Sequence, residues 1–172
     1  MSDESLRFPT GRFKRPAGPL SPAERATMIR TIADTPKNLA EALKGITEKQ
    51  LDTPYRTGGW TARQVVHHLP DSHMNAFIRM KLAITANSPT VTAYDEDEWA
   101  KLADAQMPIA PSVTLLTALH ERWVRVLESM KPDDFSRTVT HPEHGPITVD
   151  FLLALYSWHG PHHVGHVRLV RT

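Results

Sequence analysis

Trp158-His159-Gly160-Pro161-His162-His163-Val164-Gly165-His166 packs four histidines into nine residues, and its reading decides how the rest of the chain is read. It lies in a run with helical periodicity from about Val149 to the end of the chain. At about 100° per residue, Leu152, Leu155, Tyr156, His159, His163, His166 and Val170 share a face, with Pro161 and Arg168 opposite. Three histidines therefore occupy the middle of a stripe where leucine would be easier to bury, and each imidazole there needs partners for two ring nitrogens. His159 and His163 stand one turn apart, as do His162 and His166. Either pair can converge on one metal ion at about 2.0–2.1 Å per bond, and spacing alone does not choose between them.

Two imidazoles on one helix hold a metal poorly, so a third is expected from a facing helix. Thr61-Ala62-Arg63-Gln64 is a capping box that opens such a helix. Its Val65, Val66, Leu69, Ala76, Phe77, Met80, Ala83 and Ile84 share a face up to Asn87-Ser88-Pro89. His68 lies on the flank of that face and His67 is turned farther toward solvent, which makes His68 the expected third ligand. Pro70 predicts a bend just after it. An all-nitrogen, three-ligand set leaves positions for water or substrate, the pattern of a catalytic site and not of a closed structural one. His67, His73, His120, His141 and His144 read as packed or surface imidazoles.

Working outward, residues 1–20 hold Pro9, Gly11, Pro16, Gly18 and Pro19 and read as an arm that wraps the domain of residues 21–172. Ser21-Pro22-Ala23-Glu24 caps a first long helix reaching about Gly45, which Pro36 should kink or restart. The long connection from Asn87 to Pro111 carries Tyr94-Asp95-Glu96-Asp97-Glu98-Trp99, expected as a short helix capped by Asp95. A connection of that length is often functional. Its Tyr94, Asp95 and Glu98 either cover the site or form an acidic surface helix. A further helix follows Pro111, with Ser112 as its cap and Leu116, Leu119, Trp123, Leu127 and Met130 as its stripe. Residues 137–149 read as a small hairpin or turn. Trp60, Trp123 and Trp158 are expected to anchor the core. The architecture is all-α, four amphipathic helices in a bundle.

Composition narrows the chemistry. Twenty Lys and Arg against nineteen Asp and Glu leave a formal charge of +1 in 172 residues, which provides no basic field for nucleic acid. The absence of cysteine removes disulfides, cysteine-based zinc sites and thiol nucleophiles of the protein's own. With no apolar leader and no run approaching the roughly 18 apolar residues of a membrane span, a cytoplasmic protein without membrane contact is expected.

Gly58-Gly59-Trp60-Thr61-Ala62-Arg63-Gln64-Val65-Val66-His67-His68-Leu69-Pro70-Asp71-Ser72-His73-Met74-Asn75 resembles the second-helix signature of the YfiT branch of the DinB superfamily, a group of metal-binding four-helix bundles. The 158–166 motif resembles that branch's last-helix motif, although Gly160-Pro161 departs from its usual small or polar pair and His166 stands where glutamine is common. Leu51-Asp52-Thr53-Pro54-Tyr55-Arg56, Pro89 with Tyr94-Asp95-Glu96 and Trp99, and His141-Pro142 follow in the same order. The resemblance implies an up-down-down-up bundle with His68, His159 and His163 as metal ligands. It also implies one divalent ion per subunit, zinc first and nickel second, and a homodimer.

It further implies a metal-dependent hydrolase acting on a small-molecule substrate, or a transferase that uses a low-molecular-weight thiol such as bacillithiol. Three neutral ligands would leave the ion's full charge to activate water or a cosubstrate thiol. Asp71, three residues after His68, would either orient an imidazole or lie solvated. The sequence offers no strong general base, and a non-catalytic metal-binding helical domain is the competing reading.

Overall fold

The Ser21 hydroxyl accepts the Glu24 backbone N–H while the Glu24 carboxylate accepts the Ser21 N–H, so the expected capping box starts helix α2, Pro22–Leu43. The computed structural model describes residues 2–171. Met1 and Thr172, the outer bounds of the expected arm and bundle, lie outside the described residues. A five-residue helix α1, Asp3–Arg7, precedes α2, and α3, Glu48–Leu51, follows it. The Thr61 box opens α4, Ala62–Thr85, and Asp95 caps the short α5, Glu96–Trp99. Helix α6 is Ala110–Ser129, strands β1, Thr138–His141, and β2, Gly145–Thr148, form an antiparallel hairpin, and α7 is Val149–Leu169. None of the described helices is long and apolar enough to cross a membrane.

The four long helices form the bundle, with α2 and α4 each packing against both α6 and α7. A partly buried ion pair sets the register of α2 on α7: Arg25 donates through Nε and one terminal nitrogen to both Asp150 oxygens at 2.8 and 2.7 Å, and the Leu20 N–H adds a third bond at 3.0 Å. The core divides into two main apolar clusters along the bundle axis. One holds Ile32, Met80, Leu119, Trp123, Leu127 and Leu152, and the other Leu39, Val65, Leu69, Leu116, Val164 and Val167. Between them, every long helix contributes a polar position: Thr35 on α2, Ser72 and His73 on α4, His120 on α6, and His159 on α7.

Four local expectations are corrected. Pro36 does not restart the first helix, because the Ile32 carbonyl that it leaves without a helical partner accepts a bond from His120 Nδ1 at 2.7 Å. Ser112 is not the cap of α6. The helix begins at Ala110, where Pro111 falls in the first turn and its missing N–H costs nothing, and the Ser112 hydroxyl lies 2.7 Å from His67 Nδ1. His67 is buried and not turned to solvent, because the Asn87–Pro111 connection crosses it and brings the Met107 carbonyl within 3.0 Å of its Nε2. Trp123 is a core anchor and Trp60, partly buried, packs against the second apolar cluster beside His68, but Trp158 is only partly buried, between the arm and His162.

The arm explains why α7 is buried on more sides than one stripe. Gly11 accepts a bond from Trp158 Nε1 at 2.8 Å, and a Cβ on Gly165 would sit 2.8 Å from Pro9. On the other side a Cβ on Gly160 would come within 2.6 Å of Thr35 Oγ1, so the glycine lets α2 and α7 approach closely. The departure at Gly160 is thus a packing requirement.

Candidate metal centre

Helix α4 carries His68 to the face of α7, where its Nε2 stands 3.3 Å from His159 Nε2. One turn on, the His163 ring centroid is 4.8 Å from that of His68 and 4.4 Å from that of His159. One ring nitrogen from each of the three lies within 4.8 Å of the others. The structure therefore brings together the three residues singled out from the sequence.

Two nitrogens at 3.3 Å need a proton or a cation between them. Ligands about 2.0–2.1 Å from a tetrahedral ion stand about 3.3–3.4 Å apart, so the His68–His159 separation fits a shared divalent ion. Charge state fits as well. Burial holds His68 down to about 4, and burial followed by the neighbouring imidazoles holds His159 and His163 well below the ordinary histidine value. Neutral imidazole is the form that offers a lone pair to a metal.

A second grouping, His162, His163 and His166, has similar spacing, and hydrogen bonding separates the two. His166 Nε2 donates to the Arg7 carbonyl at 3.1 Å and its Nδ1 faces His163 Nδ1 at 3.3 Å, so both of its ring nitrogens are occupied. His162 stacks on Trp158 with centroids 4.3 Å apart. The third grouping, His141, Glu143 and His144, lies on the hairpin, with His144 and Glu143 exposed.

The histidines border two open cavities. One of about 320 Å³ is walled by His163, Arg56, Trp60 and Asp97, and one of about 160 Å³ by His159, Tyr94, Arg79 and Tyr156. The long connection closes over this side of α4. Asp97 accepts from Trp60 Nε1 at 2.9 Å, the Ala100 carbonyl from Gln64 at 2.9 Å, and the Thr92 carbonyl from Arg79 at 2.7 Å. Tyr94 thus becomes a wall of the site, while the Asp95 carboxylate caps α5 and Glu98 pairs with Lys101.

Asp71 lines a small recess with His67, His68 and Tyr94, and burial, followed by the nearby Asp104 charge, pushes its carboxyl up to about 6. The bonds that hold the ligand imidazoles come from other residues. His159 Nδ1 faces His73 Nε2 at 3.0 Å, and Ser72 Oγ lies 3.5 Å from His159 Nε2 and 3.3 Å from the Tyr156 hydroxyl. His73 reads in the sequence only as a packed or surface imidazole because it is five residues from His68, a spacing that matches no ligand pattern. The one signal available was Pro36, which leaves a carbonyl in need of a donor.

Three comparisons with known proteins bear on the family and the fold. A family model described as the DinB superfamily matches residues 31–167. A Bacillus mycoides protein named "putative metal-dependent hydrolase" is 46% identical over 168 residues, covering 98% of this chain and 96% of that protein. A Bacillus cereus protein of the same description is also 46% identical over 168 residues, covering 96% and 95%. Among solved structures, YfiT from Bacillus subtilis, described as a probable metal-dependent hydrolase with an unusual four-helix bundle topology, superposes with a TM-score of 0.92 at 40% identity over 97% of each chain.

Proposed function

The chain belongs to the DinB superfamily and has the YfiT four-helix bundle fold, and on that premise we propose that it is a divalent-metal-dependent hydrolase of small electrophilic substrates, with His68, His159 and His163 as the metal ligands. The observation that carries this reading is the trio itself: three partly buried, neutral imidazoles whose nitrogens converge within 4.8 Å at the wall of two open cavities. What a divalent ion supplies there, when bound, is Lewis acidity that brings the pKa of water from roughly 15.7 toward about 7.

The protein's own groups do the rest. Burial raises the Tyr94 and Tyr156 hydroxyls above the ordinary phenol value, so both stay protonated and can donate to a developing oxyanion in the 160 Å³ cavity. Asp71, at about 6, is the carboxylate beside His68 whose proton affinity lies nearest to neutrality, and it is the group we assign to proton acceptance at the recess.

A second reading, transfer of a low-molecular-weight thiol, is favoured by two observations. The chain has no cysteine, so any sulfur nucleophile must arrive from outside. The 320 Å³ cavity against His163 presents Arg7 and Arg56 to such a cosubstrate. Zinc is the expected ion and nickel the alternative. Hydrolysis of a panel of activated esters and amides, with and without chelator, tests the first reading; loss of turnover on chelation and recovery with zinc is the expected result. Turnover of an alkylating electrophile only when bacillithiol is added would favour transfer and overturn hydrolysis. Turnover of both panels unaffected by chelator would overturn both readings.

A further inference from the structure

The polar layer between the two apolar clusters is a connected chain. The Ile32 carbonyl stands 2.7 Å from His120 Nδ1, His120 Nε2 stands 2.7 Å from His73 Nδ1, and His73 Nε2 stands 3.0 Å from His159 Nδ1. A carbonyl only accepts, so His120 Nδ1 carries a proton. Each nitrogen–nitrogen contact holds one proton, so the direction then propagates. His120 Nε2 is bare and accepts from His73 Nδ1–H, and His73 Nε2 is bare and accepts from His159 Nδ1–H. Three neutral imidazoles carry one N–H each, and three contacts use one each, so the chain closes with no charge. Its far end is a bare His159 Nε2, the atom that faces His68.

A second chain has the same logic on the other side of α7. The Arg7 carbonyl accepts from His166 Nε2–H at 3.1 Å, which leaves His166 Nδ1 bare to accept from His163 Nδ1–H at 3.3 Å. His163 is left with a bare Nε2. Both ligands of α7 are thus set in the same tautomer by a chain that ends on a backbone carbonyl. One carbonyl is free because Pro36 has no N–H, and the other belongs to α1 in the arm.

We propose that His73, His120 and His166 are positioning residues that fix His159 and His163 in the Nδ1–H tautomer and so present two Nε2 lone pairs to the ion, an inference that rests on the metal reading above. Because each chain ends on a carbonyl that cannot take up a proton, the chains orient and do not conduct. Donation of the outer N–H also strengthens the ligating nitrogen, and loss of such a partner costs about 10–100-fold in metal affinity.

Nitrogen NMR of isotopically labelled, ion-free wild-type protein tests the tautomers without any substitution. The expected pattern is protonated Nδ1 on His73, His120, His159 and His163, and protonated Nε2 on His166. Protonated Nε2 on His159 or His163 would overturn the proposal. The second measurement is zinc affinity by competition with a chromophoric chelator. His73→Leu should lose about 10–100-fold, and His73→Gln, whose amide oxygen can accept from His159, should recover part of it. Unchanged affinity in a folded His73→Leu protein would overturn the positioning role. If His73→Leu does not fold, the wild-type tautomer pattern decides alone. Failure of the wild type to take up zinc would overturn the metal reading, and the tautomer pattern would still decide whether these chains exist.

Discussion

The histidine layer and the apolar clusters above and below it are built from the same four helices, yet they depend on different forces. In the apolar clusters Ile32, Leu127, Leu152, Leu39 and Val65 are interchangeable in kind: each stabilises by removing hydrocarbon from water, and none needs a particular partner. In the layer each group is committed to a neighbour, because a buried imidazole without partners costs more than it contributes. The layer therefore gives up burial energy to hold its imidazoles in set orientations, the arrangement expected of a site and not of a core.

The comparison can be broken first with acid. His68, His120 and His166 are each held down to about 4 by burial, whereas an unfolded histidine titrates near 6.5. The unfolded chain thus takes up protons first as pH falls. The stability these groups contribute is complete above about pH 6.5 and is lost progressively toward about pH 4, by about 1–3 kcal/mol per group. Thermal unfolding of ion-free protein across that range should show a drop of about 5 kcal/mol or more. A flat profile would mean that the layer is solvated.

Next in size is the apolar side of the comparison. Trp123 has no exposed surface, and its indole N–H points at Met80 Sδ 3.1 Å away. Trp123→Ala should cost about 3–5 kcal/mol in denaturant unfolding while zinc stoichiometry stays the same. A parallel loss of both would show that the layer cannot be separated from the core.

The smallest effect sharpens the boundary of the layer. The Asp71 carboxyl is raised to about 6 from an ordinary 3.8, so the fold disfavours its charged form, and the penalty is present above about pH 6 and relieved as pH falls. Asp71→Asn should stabilise by about 1 kcal/mol at pH 8, allowing for partial exposure, and by nothing near pH 4. Stabilisation that is equal at both pH values would assign the effect to packing.

How much of this was legible follows from what a helical wheel can see. The capping boxes at Ser21 and Thr61 have purely local signatures, and so do the hairpin and the Asp95 cap. The convergence of His68 with His159 and His163 followed from face and family pattern together. His67 was misplaced because the wheel treats the outer face of a helix as solvent, and Trp158, expected in the core, packs under the arm instead. Here the Asn87–Pro111 connection lies over α4 and the arm over α7. Ser112 looked like a cap because its hydroxyl fits that role, and nothing local reveals that His67 uses it. His73 and His120 were invisible as a pair, since their link runs through space from α4 to α6 and back to the carbonyl that Pro36 frees on α2.

The most direct test of the central claim is zinc uptake by equilibrium dialysis, measured on the wild type and on His68→Ala, His159→Ala, His163→Ala and His162→Ala. Expected are one tightly held ion per chain in the wild type and in His162→Ala, and losses in the other three variants exceeding the roughly 10–100-fold cost of an outer partner. Absence of a stoichiometric ion in the wild type, or its retention in His159→Ala, would contradict that claim.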